Sequence, residues 1–161
     1  MVPRAAHLIE ALKLRPHPEG GHFTEVHRST SRVQPLDRRP ERAALTVIYF
    51  LLVAGETSRW HRVTSDEVWH YHEGDPLELW SAPDGFDDVS RRLLGEVGED
   101  MRPSHVVLAN HWQAARSTGS YTLVTCTVGP GFDFADFEML DGHPAAAETL
   151  RDRHPALAEM I

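Results

Sequence analysis

Residues 55–74 read GETSRWHRVTSDEVWHYHEG, and this stretch decides the fold. Gly55 and Gly74 bracket it, and His61 and Glu67 stand inside it with Val63 between them. Arg59 to Val63 and Glu67 to His72 both carry the short alternating pattern of a strand. Thr64-Ser65-Asp66 reads as the turn that joins them as neighbours, Asp66 being its turn residue. On that reading His61 and Glu67 face one cavity. Side chains alternate along a strand, so Glu67, Trp69 and Tyr71 share one face while Val68, His70 and His72 take the other. An imidazole beside a carboxylate supports more than one chemistry. Both are donors for a divalent transition metal such as Zn, Ni, Fe or Mn. Without a metal they form an acid–base couple or a buried hydrogen-bonded pair lining a pocket.

Working outward, Ala44 to Val53 (ALTVIYFLLV) is apolar and rich in β-formers, which predicts a central strand. His22 to Arg28 alternates, with Phe23, Glu25 and His27 on one side. Ala5 to Leu14 reads as a short amphipathic helix with Leu8, Ile9 and Leu12 on one face. Pro16, Pro18, Gly20 and Gly21 end that helix. The segment His17-Pro18-Glu19-Gly20-Gly21 is expected to be a glycine-enabled turn; the alternative is a flap over a pocket mouth. Downstream, Pro76 to Trp80, Asp88 to Leu94, His105 to Leu108, Trp112 to Arg116 and Ser120 to Val128 read as further strands. Phe132 to Met139 alternates aromatic with acidic residues, as a half-buried strand would, and Pro144 to Arg153 reads as a helix. Many short strands and no fixed repeat predict an all-β sandwich or barrel, with one domain over residues 1–161 and a barrel core of about 22–140.

The 161 residues carry a net charge of −8, which disfavours nucleic acid and anionic membrane surfaces as partners. Cys126 is the one cysteine, so no internal disulfide forms, and its apolar strand context predicts a buried, inert thiol. The start of the chain lacks the apolar run of a signal peptide and no stretch has membrane-spanning length, so a cytoplasmic location is expected.

The 55–74 stretch resembles the first motif of the cupin superfamily: Gly, five residues, His, one, His, three or four, Glu, six, Gly. Both glycines, His61 and Glu67 match, while Val63 replaces the second His. In the second motif the Pro position is Leu108, the Gly position Asn110 and the His ligand position Gln113. The segments HPEGGHFTEVHRS, TVIYFLL, SRWHRVTSDEVWHYHEGDPLEL, ANHWQAA and CTVGPGFDFADFEML resemble, in that order, the small cupin family called cupin type five. The resemblance spans roughly residues 6–140.

That resemblance implies a jelly-roll barrel (a double-stranded β-helix) with short N- and C-terminal helices, a pocket at its mouth and a homodimer. It implies His61, Glu67 and Gln113 as the ligands if a metal is held. Epimerase-type cupins suggest an isomerase or epimerase acting on a carbohydrate-like or other polar metabolite. In that reading His61 is the base, and Glu67 orients it or acts as the acid. Trp69, Tyr71, Trp112 and Gln113 are the expected ligand contacts. The alternative from another class is a non-catalytic metabolite sensor, or a structural cupin without a tight metal.

Overall fold

The computed structural model describes residues 3–161. The chain opens with helix α1 (Pro3–Ala11), followed by strands β1 (Arg15–Pro16), β2 (His22–Arg28), β3 (Arg32–Val33), β4 (Arg42–Ala43) and β5 (Thr46–Val53). The middle supplies β6 (Thr57–Val63), β7 (Asp66–Gly74), β8 (Leu77–Ala82), β9 (Ser90–Leu94), β10 (Met101–Arg102) and β11 (Ser104–Val107). The last part holds β12 (Trp112–Ser117), β13 (Tyr121–Gly129), a 3-10 turn at Phe134–Asp136, β14 (Phe137–Met139) and helix α2 (Pro144–Arg153).

These strands form two six-stranded sheets, ordered β1-β2-β5-β13-β7-β11 and β10-β9-β8-β12-β6-β14. Pairing is antiparallel apart from the short β9–β10 contact, which is parallel. The all-β jelly-roll expected from the sequence is therefore present, with a helix at each end of the chain. One expectation is corrected. β6 and β7 are not neighbours in a sheet; the turn Thr64-Ser65 carries the chain from one sheet to the other. His61 and Glu67 consequently approach from opposite walls.

The alternation of side chains divides each sheet into an inner and an outer face. Phe50, Leu52, Trp69, Leu77, Leu79, Leu94, Val107, Ala115, Val124 and Cys126 pack between the sheets. Outside the first sheet, α1 lays Ala5 and Leu8 on Leu51 and Leu123. Outside the second, α2 and the residues after it bring Ala147, Leu150 and Met160 onto Trp60, Trp80 and Trp112. Each fully buried large side chain contributes roughly 1.5–3 kcal/mol through the apolar surface it removes from water. Both helices thus cover sheet faces that would otherwise expose leucine and tryptophan.

Two local departures shape the interior. β2 carries a bulge between Glu25 and His27, so the alternation slips. Phe23 and Glu25 point inward as expected, but Arg28 takes the place on the inner wall that simple alternation assigns to His27. The segment expected as a strand from Phe132 to Met139 is one only at its end; Phe134–Asp136 is a 3-10 turn, capped when the Asp133 carboxylate accepts from the Ala135 N–H. Only Phe137–Met139 pairs, along β6. Two arginines hold that turn in place: Arg42 binds both Asp136 oxygens at 2.9 Å and Arg39 adds a third contact at 3.0 Å.

Candidate functional site

One end of the sandwich is hollow. A cavity of about 360 Å³ opens between the sheets, within the range of small-molecule sites. Its walls are largely apolar: Ile48, Val63 and Val128 from the strands, with Phe23, Phe132, Phe134 and Phe137 closing one side. Its deep end is polar. His61, Glu67 and Glu19 line it and are nearly sealed from solvent, at 2%, 6% and 6% exposure. Arg15, His17, Glu25, Arg28, Thr46, Cys126 and Asp133 complete the lining.

His61 arrives on β6. Its Nδ1 lies 2.7 Å from the Arg59 carbonyl oxygen, which can only accept, so Nδ1 carries a proton. In the neutral ring Nε2 then presents a lone pair. Facing it at 3.3 Å is Oε2 of Glu19. Burial holds the imidazole below its ordinary pKa, opposed by the nearby Glu67 charge and the Arg59 carbonyl.

Glu19 belongs to the 17–21 segment, expected to be a plain turn. The turn presses on β6: the Arg59 N–H donates to the Glu19 carbonyl at 2.8 Å, and an Arg59 guanidinium N–H reaches the Pro18 carbonyl. Gly20 makes the approach possible. Its φ is +108°, and a Cβ there would sit 2.1 Å from the Thr57 carbonyl oxygen. The Ser58 hydroxyl donates to Glu19 Oε1 at 2.8 Å, and the Glu19 backbone N–H donates to Nδ1 of His17 at 3.2 Å. Burial raises the Glu19 carboxyl, with His17, Ser58 and Arg59 pulling the other way. Burial likewise lowers His17, against the charge of Glu19.

Glu67 comes from β7 on the facing sheet. The Gln113 amide donates to its Oε2 at 2.5 Å. Behind it, the Trp69 indole N–H donates to Gln113 Oε1 at 2.9 Å. An indole can only donate, so this bond fixes which end of the amide faces Glu67; a flip would oppose two N–H groups. Burial pushes the Glu67 carboxyl up to about 7, helped by Glu19 and resisted by His61, Gln113 and Cys126. Cys126, on β13, is buried and its thiol is driven well up by the same burial and by both carboxylates. It is an inert wall atom, in keeping with its sequence context.

The expected pairing is thus corrected in detail. His61 and Glu67 do line one cavity, but the carboxyl within reach of His61 is Glu19, and the partner hydrogen-bonded to Glu67 is Gln113. Glu19 and His17 were not among the expected site residues. The signal for them was the Gly20-Gly21 pair, which marks a backbone passing close to another strand.

The expected ligand contacts lie elsewhere. Trp69 packs edge-on to Phe50 in the core, and the Tyr71 hydroxyl donates to the Gly74 carbonyl. Gln113 is fully buried behind Glu67. Trp112 points out of the barrel, between Phe86 and His143, under the Arg62 guanidinium. Nor do the donors named from the resemblance fit a metal as they stand. The Gln113 oxygen is taken by Trp69, and its nitrogen faces Glu67. Among the described residues no group of three or more His, Cys, Asp or Glu side chains is arranged to hold a metal ion. None of the described helices is long and apolar enough to cross a membrane.

Comparison with known proteins agrees with the fold. The model of the Cupin superfamily (DUF985) family matches residues 6–140. A hypothetical protein from Leishmania major is 33% identical, with a TM-score of 0.87 over 98% of this chain and 97% of that one. A protein from Shewanella oneidensis is 30% identical, with a TM-score of 0.82 over 97% and 95%. KdgF from Halomonas, at 13% identity and a TM-score of 0.51 over 76% and 89%, shares the fold. No curated protein matches. The chain belongs to the DUF985 family of the cupin superfamily.

Proposed function

We propose that this cupin is a small-molecule enzyme of the isomerase or epimerase type, moving a proton on a carbohydrate-like or other polar metabolite held in the cavity. The observation that carries this reading is the placement of His61 and Glu67. They stand on opposite sheets at the deep end of one cavity, each with its non-reacting side already committed to a protein partner. A carbon held between them meets a base on one face and an acid on the other, the arrangement that inversion or migration of a proton requires.

In this reading Nε2 of His61 takes the proton. Glu19, 3.3 Å from that nitrogen, stabilises the positive charge that stays on the ring. Glu67 gives a proton from the other side, and its carboxyl, pushed up to about 7, is available in both forms near neutral pH. The Gln113 amide and the Trp69 indole hold that carboxyl at a fixed angle. Phenylalanines around the cavity limit water at the reacting carbon.

The test begins with a thermal-shift screen of sugars, nucleotide sugars and small acids. Binders are then incubated with the protein in deuterated water and followed by NMR. Deuterium should enter the ligand with wild type, and His61→Asn and Glu67→Gln should each slow that exchange by about 100-fold or more. If a binder is recovered unchanged and undeuterated, while His61→Ala merely weakens its affinity, the protein is a sensor and the enzyme reading fails.

A further inference from the structure

We propose that the cavity takes its ligand as an anion, with a carboxylate or phosphate at Arg15 and the uncharged, reacting end against His61. The inference rests on the reading of the cavity as a small-molecule site, and it names the ligand class and the direction in which the ligand lies.

Two arginines line the cavity, and they differ in what they have to offer. Arg28 is already neutralised. Its guanidinium donates to both Glu25 oxygens, at 3.0 and 2.7 Å, and to the Phe132 carbonyl at 3.0 Å. Arg15 makes no ion pair and no side-chain hydrogen bond among the described residues. Its one specific neighbour is aromatic: the guanidinium lies 5.3 Å from the centre of the Phe23 ring. Stacking of this kind holds the planar group in place while its N–H edge stays free to bind a carboxylate or phosphate with two parallel bonds.

The far end of the cavity argues for the same direction. Glu19 and Glu67 both line it, and the Glu19 charge raises the cost of ionising Glu67. A second anion brought into that buried, acidic end would meet repulsion from both carboxyl groups, away from the free guanidinium of Arg15. A ligand carrying one negative group therefore points it outward. The wall between the two ends is formed by Phe23, Phe137, Ile48 and Val63, which suits an uncharged ring or carbon chain rather than a second charge. Phe23 connects the ends directly, with Arg15 over its face and the His17 ring at 4.5 Å on its edge.

Matched probes test the proposal: glucuronate against glucuronamide, and phenyl phosphate against phenol, titrated into the intact protein by NMR. Each anion should bind at least about 10-fold tighter than its neutral counterpart. Arg15→Gln should remove about that factor for the anions and leave the neutral probes within twofold. Arg15→Glu should weaken anions further. Arg15 is exposed, and an unchanged melting temperature will show that both variants fold. Equal binding of anion and neutral probe, no binding of either anion, or loss of anion binding in Arg28→Gln but not in Arg15→Gln would each overturn the assignment. The two readings fail separately. Arg15-dependent binding with no deuterium exchange keeps the anion site and sinks the enzyme; exchange that survives Arg15→Gln at full affinity does the reverse.

Discussion

The inner faces of the two sheets hold two unlike regions. Along β5, Phe50 and Leu52 are packed in the core, while Thr46 and Ile48 line open space. Along β7, Trp69 is core and Glu67, two residues earlier, is cavity. The same alternation that fills one half leaves the other half hollow, where the strands turn polar groups such as Glu25, His61 and Glu67 inward instead of large apolar ones. The connections add to the difference. At the packed end the strands β8 and β9 themselves supply Leu77, Leu79 and Leu94; at the open end the 17–21 turn adds Glu19 and the 132–137 segment adds three phenylalanines.

Substitution should separate the two halves. Leu79→Ala removes a fully buried side chain from a packed environment and should cost about 2–5 kcal/mol in denaturant unfolding. Ile48→Ala, on the same inner face but bordering open volume, should cost under about 1.5 kcal/mol. Comparable losses would mean that the open half is packed in solution.

A second contrast is pH-dependent. The folded protein holds the Glu67 carboxyl at about 7, above its ordinary value of 4.5, so the folded state binds this proton more tightly than the unfolded chain. The resulting destabilisation is absent below the unfolded value, grows as pH rises, and is complete above about 7. Its full size is roughly 3 kcal/mol. Glu67→Gln should therefore gain stability relative to wild type as pH rises from 5 to 8 (about that interval), with little difference at the acidic end. A constant offset between the two melting curves would show that the carboxyl titrates normally.

A third contrast lies at the seam between the two halves. Gln113→Leu leaves the Trp69 N–H without an acceptor and Glu67 without its donor, at a cost of about 1–3 kcal/mol. It should also shift the pH profile of any exchange activity upward, because the lost donor favours the ionised carboxyl. A stability loss with an unmoved profile would reduce Gln113 to packing alone.

The barrel was legible because its strands alternate cleanly and its turns carry Gly, Pro and Asp. His61 and Glu67 were legible because their spacing within one strand–turn–strand unit puts both on inner faces. Which groups each would touch was not, since that depends on the crossing between sheets at Thr64-Ser65, a feature that leaves no periodic trace. Glu19 escaped because a turn built on Gly20 and Gly21 looks the same in sequence whether its neighbour is solvent or another strand. Trp112 was misplaced for a related reason. The second motif brings it next to Gln113, but adjacent residues on a strand face opposite ways, and Gln113 holds the inward position. At that motif Asn110 stands at the Gly position and adopts a left-handed conformation, with φ of +66°, which asparagine tolerates better than most residues.

Five separate stretches of chain meet at the deep end of the cavity: the 17–21 turn, β6, β7, β12 and β13. The hydrogen-bonded partners are distant in sequence: Gln113 and Glu67 are 46 positions apart, and Glu19 and Ser58 are 39 apart. The constellation therefore exists only in a chain that has finished folding; a half-assembled intermediate or an excised fragment would be chemically blind. Ligand binding at the deep end would count correctly assembled molecules more faithfully than any optical probe of strand content.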